Sequence, residues 1–510
     1  MDNIFKNVML KGIPSSTFDL SHQVKTSGRI GKIIPILCES TLPGDVWSCQ
    51  TAALLRMAPM ISPIMHQVQL CLYSFYVPYR IVFESFEDFI RGGDDGMDTT
   101  APPTIQIDAL DNGVGQLPDY LGIPPGQSTG PLLAYRFASY QAVFNEYFRD
   151  QNLVGEVPTD LQPGLQTGAV TDIVALRNKA WSHDYFTSAL PFTQKGPQVS
   201  IPLGTSAPID YVFNGLASQV KDTQGNLLGT GSLTTASNGD FQNAGSDATL
   251  DNSGQLQADL TNAASALIVD LRNSFQLQEY YERNSRAGSR YFEWVKAHFN
   301  VNVGDDRVNR PEFLGGGKLN VSFSEVLQTS GSNQTGNTTP QGNMAGHGIT
   351  ADQATRWKYR TKEHGTILTV MVVMPKTSYQ NGIDREWFKF DRFDHYLHTF
   401  AHIGEQPIYN RELFYQNNSE DDEVFGYTPR FSEYKFINDK VSGAFRTTLD
   451  FWHAGRKFSS LPPLDEEFVT CNSDEVDRVF AVTNQEQFYA HIYHSIRCRR
   501  HMPYFSNPKV

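Results

Sequence analysis

Two short apolar runs constrain the fold more than any other feature of this chain. Val68 to Val77 reads VQLCLYSFYV and is closed by Pro78, and Ile367 to Met374 reads ILTVMVVM and is closed by Pro375. Their length and their β-branched and aromatic content favour strands over helices. Proline cannot donate to a ladder, so each run reads as a core strand meeting a sheet edge. The two lie far apart in sequence, so the sheets they enter are built from non-local pieces joined by long excursions. Ile367 to Met374 is also the longest strongly apolar stretch, far short of the ~20 helical residues that span a bilayer.

The excursions carry helices. Phe137, Tyr140, Phe144, Tyr147 and Phe148 recur at helical spacing, as do Tyr291, Trp294, Val295, His298 and Phe299, with Gly304 as the expected stop. Leu267, Leu271 and Phe275 predict a third helix. Asn214 to Asn262 and Ser330 to Gly348 are rich in Gly, Ser, Thr and Asn and read as surface loops, with weak strands in the first. The first forty residues read as an extended N-terminal arm, and no internal repeat is visible. Strands separated by helix-bearing excursions point to a barrel or sandwich with elaborated loops, the jelly roll foremost.

Composition separates a contact-making body from an insertion. Leu277 to Gly317 is dense in Tyr, Trp, Phe and Arg, the residues enriched where one protein surface buries another. From Asn214 to Ser274 the only aromatic residue is Phe241, although aromatics make up 12% of the chain. Charged residues are 19%, below the roughly 25% of soluble proteins, which fits a chain that hides much of its surface. The net charge of −13 argues against a conventional DNA-binding module but not against a basic face. Such a face has material at both ends. His491 to Val510 holds Arg497, Arg499, Arg500 and Lys509 and no acid, and the first 32 residues hold Lys6, Lys11, Lys25, Arg29 and Lys32 against Asp2 and Asp19. The cysteines, Cys38, Cys49, Cys71, Cys471 and Cys498, fit no zinc spacing, and no signal peptide is recognisable, so free thiols in a reducing cytoplasm are expected.

The catalytic and metal-binding motifs are weak. His395, His398 and His402 would share one face of a helix with Glu405 nearby, but no HExxH accompanies them. Glu420 to Glu423 (EDDE) lacks the alternating acids and Gly bend of a calcium loop and reads as a solvated acidic turn. Gly315 to Lys318 lacks the spacing and the Ser/Thr of a phosphate loop. GxSxG is absent, and no Cys stands in a catalytic signature. Arg283, Arg286 and Arg290 recur at helical spacing, interrupted by Gly288. They suit either a subunit or nucleic-acid contact or ordinary pairing with Glu279, Glu282 or Glu293, and the interleaved aromatics favour the subunit contact. The chain reads as a building block, not an enzyme.

Several long blocks resemble the major capsid protein of the Microviridae, small bacteriophages with single-stranded DNA genomes. They include LLRMAPMISPIMHQVQLCLYSFYVPYRIVFESFEDFI (54–90), FNEYFRDQNL (144–153), HDYFTSALPFTQKGPQVSIPLG (183–204) and YYERNSRAGSRYFEWVKAHFNV (280–301). RPEFLGGG (310–317), TPQGNMAGHG (339–348), AHIGEQPIYNRELF (401–414) and DDEVFGYTPRFSEYKF (421–436) complete the set in family order. The likeness is closest to the gokushovirus-like branch. It implies a mainly β, eight-stranded antiparallel jelly roll with long helix-containing loops. It also implies a T=1 icosahedral shell around circular single-stranded DNA and an insertion over 205–262 forming three-fold protrusions. His395 and His398 are not family features, whereas the stretch containing His402 is.

The expected organisation is one capsid domain over 1–510 with an N-terminal arm (1–40), an exposed insertion (205–262) and a basic C-terminal tail (491–510). Arg497, Arg499, Arg500, Lys509, Lys6, Lys11, Lys25 and Arg29 are the expected nucleic-acid contacts, with stackable aromatics such as Tyr504 and Phe505 beside them. Tyr281, Arg283, Arg286, Arg290 and Trp294 are the expected subunit contacts. No cofactor, metal or membrane insertion is expected. The partners would be copies of the chain, the genome, viral scaffolding, pilot or DNA-binding proteins, and a host receptor. The rival readings are a lectin-like β-sandwich and, resting only on the histidine stripe, a cupin-type metal enzyme.

Overall fold

Strands of seven residues or more are the scaffold: β1 (His22–Gly28), β2 (Ile34–Thr41), β3 (Val46–Met57), β4 (Val68–Pro78), β5 (Glu312–Asn320), β6 (Met344–Arg360), β7 (Gly365–Pro375) and β8 (Phe488–Arg500). They were located in a computed structural model, which describes residues 14–505 except 94–96, 169, 198, 200–208, 212–219, 223–232, 236–240, 244–245, 251–255, 259–267, 288–289, 303, 306–308 and 328–343. The chain divides into two compact units, Met1–Thr193 with Ala287–Val510, and Gln194–Arg286.

In the first unit, one sheet runs β1-β8-β3-β6, with Ser16–Asp19 also on β8 and Ser322–Leu327 beyond β6. The second runs β5-β4-β7-β2, and every pairing in both is antiparallel. The chain changes sheet at each step except from β4 to β5, where the long excursion intervenes. The molecule is mainly β, and this order is compatible with the jelly roll expected.

Burial explains why these segments are strands. β3 and β8 alternate: Trp47, Cys49, Ala53, Leu55 and Met57 point inward with Phe488, Ala490, Ile492, Ile496 and Cys498, and the intervening residues face out. β7 is buried at every position because both of its faces are covered. On the face away from the first sheet lie helix α1 (Tyr135–Val143) and the turn of π-helix Phe144–Phe148 that follows it. Tyr147 and Phe148 pack on Phe75 at 4.7 and 5.9 Å, and the Tyr140 hydroxyl donates to the Ile33 carbonyl at 2.8 Å. The two proline-closed runs are β4 and β7, the inner pair of their sheet.

The two sheets approach each other where β5 meets β6. A Cβ on Gly317 would lie 1.7 Å from the Ala354 carbonyl oxygen, and one on Gly316 would lie 2.9 Å from the Leu72 carbonyl oxygen. Both strands carry a register shift nearby, between Phe313 and Gly315 and between Gln353 and Thr355. The triple glycine is therefore a close-approach element, as interior strand glycines often are.

The boundaries differ from expectation in places. Ser16–Asp19, β1 and β2 lie within the expected arm and are ladder-paired, which leaves residues 1–13 outside those described. Residues 491–500 of the expected tail belong to β8, between β1 and β3, because their alternation buries every second side chain. Of the loop expected over Ser330–Gly348, residues 328–343 are outside those described and Met344–Gly348 are already β6.

The second unit contains short antiparallel strands, Val220–Asp222, Leu233–Thr235, Phe241–Asn243 and Ser246–Leu250, with Ile209–Tyr211 paired to Leu256–Ala258. Most of the expected insertion otherwise falls outside the described residues. Helix α2 (Ile268–Ala287) is the third helix expected, and helix α3 (Tyr291–Phe299) ends at Asn300 in the left-handed region (φ 55°), not at Gly304.

His494 sits fully buried in the first sheet's inner face. Its Nε2 donates to the Ile36 carbonyl (3.2 Å), so Nδ1 accepts from the Thr51 hydroxyl (2.9 Å). Burial pushes its pKa down from 6.5 to about 4, helped by the nearby His22 ring. The folded state therefore binds the proton less tightly than the unfolded chain. Its stabilising contribution is complete above pH 6.5 and is lost as the pH falls toward 4, on the order of 3 kcal/mol in all. Urea melts of wild type and His494→Gln between pH 4 and 7 should show the smaller pH slope in the variant, and equal slopes would contradict this.

Candidate nucleic-acid and assembly surfaces

The outward face of the first sheet carries a block of cations. Strand alternation places Arg497 and Arg499 of β8 and Arg356, Lys358 and Arg360 of β6 on that face, and all five are exposed. Register aligns them across β3: Arg497 and Lys358 both oppose Ser48, and Arg499 and Arg360 both oppose Val46. Arg356 shares Gln50 with Ser495 in the next row. At ordinary strand spacing the block covers about 10 Å across and 14 Å along the strands. Tyr489 and Tyr493 continue the same face as exposed rings, with Lys25 beside them on β1, opposite His491.

Little opposes this charge. Among the described residues no ion pair joins any of the five cations to a carboxylate. Arg499 instead donates to the Ser15 hydroxyl at 3.0 and 3.2 Å. Asp19 stands opposite Arg497 in the ladder. Its pKa is lowered first by hydrogen bonds from the Ser21 hydroxyl and amide and then by Arg497, so it stays ionised as a local counter-charge.

Two expected contacts are engaged elsewhere. Arg500 points to the opposite side of β8 from Arg499; its Nε meets the fully buried Asp45 at 3.0 Å, and its guanidinium lies 5.3 Å from the Trp47 ring centroid. Arg29 bridges Asp474 and Asp477 at 2.9 and 2.8 Å. Both are internal ties. Lys6, Lys11 and Lys509 lie outside the described residues. Tyr504 is 65% exposed and stacks on Phe18, with Phe505 against it.

The expected subunit contacts divide between the units. In the second, Arg283 pairs with Glu279 at 2.7 Å, Arg286 is exposed, and Tyr281 is half-buried with its ring close to Gly196. In the first, Arg290 anchors α3: it meets Glu146 at 3.2 Å and the Asn145 carbonyl at 2.8 Å, and its amide donates a capping-box bond to the Glu293 carboxylate. Trp294 lies half-exposed among Tyr291, His298 and Phe299.

A comparison of the whole chain with known proteins decides what such a surface belongs to. The family described as "Capsid protein (F protein)" matches residues 7–510. The chain is 33% identical to capsid protein VP1 of Chlamydia phage 1, across 100% of this chain and 98% of the relative. It is 34% identical to capsid protein VP1 of Spiroplasma virus 4, across 98% and 96%, and 33% identical to that of Bdellovibrio phage phiMH2K, across 92% and 90%. The chain belongs to the phage capsid protein (F protein) family. These relatives are Microviridae proteins, as the quoted blocks implied, and they are structural proteins, not enzymes. A capsid protein of this family is a virion component that builds a shell from its own copies.

The remaining motifs fit a capsid protein without chemistry. His395, His398 and His402 do not share a helix: Asp391 and Asp394 close a turn on each other, and only His398–Phe400 forms a short 3-10 segment. Two of the EDDE carboxylates are engaged, Asp421 by the Gln416 and Asn418 amides and Asp422 by Arg411. Among the described residues no group of three potential ligands is placed to hold a metal, and no helix is long and apolar enough to cross a membrane.

Arg356, Lys358 and Arg360 escaped the sequence reading, although RWKYR carries the signal that finds them. Cations at every second residue, with aromatics between, put all the charge on one face of a strand. The same alternation in IRCRR separates Arg497 and Arg499 from Arg500.

Proposed function

We propose that this capsid protein forms a T=1 icosahedral shell around a circular single-stranded DNA genome, with the cationic face of its first sheet turned toward the DNA. The observation that carries the genome contact is the alignment of five exposed cations across β8, β3 and β6 beside exposed tyrosines. A packaged strand requires contact indifferent to sequence. Cations that read phosphate and rings that stack on any base supply it. The aromatic-poor insertion over 205–262 forms surface protrusions used in host attachment, since surface loops carry recognition and tolerate change. Assembly takes place in the host bacterial cytoplasm, where the five free thiols remain reduced. Viral scaffolding, pilot or DNA-binding proteins assist, and a host surface receptor binds the finished particle.

Electron microscopy of the expressed chain, with nuclease protection of co-purified DNA, tests this reading. Closed isometric shells of sixty copies holding protected single strands are expected. Replacing 214–262 with a short linker should leave shells intact and lower adsorption to host cells. A soluble monomer that retains no nucleic acid would refute the proposal.

A further inference from the structure

Three rings stand in a row on the outward side of β8. Tyr489, His491 and Tyr493 occupy successive outward positions of the strand. Side chains on a strand stand roughly perpendicular to the sheet, and alternate residues are about 6.8 Å apart. Stacked bases rise about 3.4 Å each, so neighbouring rings of this row leave room for one base between them. Tyr489 is 52% exposed and Tyr493 44%, and among the described residues no other ring stacks on any of the three. The middle ring is tied to the next strand: His491 Nε2 donates to Gln23 Oε1 at 3.2 Å.

Charge flanks the rings at both ends. On one side stands the cation block, with Arg356 and Arg497 nearest to Tyr493. On the other, Arg56 of β3 opposes Tyr489, and Lys25 of β1 opposes His491. Arg56 and Lys25 are exposed, and among the described residues neither is in an ion pair. The ground between is low and neutral. β3 presents Ser48, Gln50 and Ala52 there, and Ala351 and Gln353 of β6 lie across from the rings. From Arg499 to Tyr489 this trough runs roughly 34 Å along the strands.

We infer that the trough takes an unpaired DNA strand lengthwise, its bases lodged between Tyr489, His491 and Tyr493. The phosphates on either side of those bases meet Arg56 and Lys25 at one end and Arg356 and Arg497 at the other. This rests on the genome-contact reading and adds which form of DNA the face selects. Cations alone hold duplex and single strand alike. A ring enters a duplex only by unstacking a base step, whereas the bases of a single strand can part and stack on any aromatic face. The contact is therefore selective for the unpaired form and still indifferent to sequence.

Binding of the full-length protein to a short single-stranded DNA, and to that strand annealed to its complement, tests the selectivity. Wild type should prefer the single strand by about tenfold or more. Tyr489→Leu and Tyr493→Leu should each weaken single-strand binding about tenfold, with duplex binding and the salt slope unchanged. Tyr493→Phe should bind as wild type does, because the ring and not the hydroxyl makes the contact. Arg56→Gln should lower the single-strand salt slope by about 0.7. A wild type that holds both forms equally, or tyrosine variants that lose both forms alike or neither, would overturn the inference. Photocrosslinking of the wild-type protein to single-stranded DNA carrying iodouracil gives a reading that depends on no variant's folding. Crosslinks should fall on Tyr489, His491 or Tyr493, and crosslinks confined to other parts of the chain would overturn the assignment. Wild type that binds neither form would instead refute the genome-contact reading itself.

Discussion

Gly317→Ala is expected to abolish soluble, assembly-competent subunit. The added methyl carbon would sit 1.7 Å from the Ala354 carbonyl oxygen, an overlap with backbone that no rotamer relieves. Relief would require β5 and β6 to separate at the line where the two sheets meet, exposing part of the core. Overpacking a core ordinarily destabilises by 1–3 kcal/mol, and a clash with fixed backbone should exceed about 3 kcal/mol. Gly315→Ala is the matched control, because its Cβ would meet side chains alone, Trp357 at 3.4 Å and the Thr355 hydroxyl at 3.7 Å. Soluble yield and melting temperature should fall sharply for the first and little for the second; equal behaviour would show that the strands do not approach this closely.

Removing the cationic face should abolish DNA retention while leaving the shell. Replacing Arg356, Lys358, Arg360, Arg497 and Arg499 with Gln breaks no internal ion pair among the described residues. If each cation meets one phosphate of a single strand, the wild-type log–log salt slope is about −3.5 per subunit, and the variant's should approach zero. Between 50 and 200 mM salt that slope amounts to roughly a hundredfold in affinity. The opposite pattern is expected for Arg500→Gln. It leaves the buried Asp45 carboxylate without its partner and should destabilise the fold by about 3 kcal/mol with little effect on the salt slope. Shells of the five-fold variant that hold normal amounts of DNA would remove this face as the genome contact.

What could be read from sequence followed physical lines. β4 and β7 were legible because strands covered on both faces are continuous apolar runs, and α1 and α3 because their aromatics repeat at helical spacing. β1, HQVKTSG, was not: it is a short polar edge strand, and its partner β8 enters hundreds of residues later. β8 was read for its charge although FYAHIYHSIRCRR alternates as strictly as any strand in the molecule, so Arg500 was grouped with residues on the other face. The glycines of β5 had no sequence rationale, since what they accommodate are carbonyls brought close only by the fold, Leu72 of β4 beside Gly316 and Ala354 of β6 beside Gly317.

The place of β8 has a consequence for synthesis. It leaves the ribosome hundreds of codons after β1 and β3, the strands that flank it. Until Arg500 has emerged, both of those strands have an unpaired edge and the inner residues of β3 lack part of their cover. A nascent or truncated chain therefore cannot present a finished cationic face or a completed first sheet. A polypeptide terminated before β8 is left with open ladders for proteases to find.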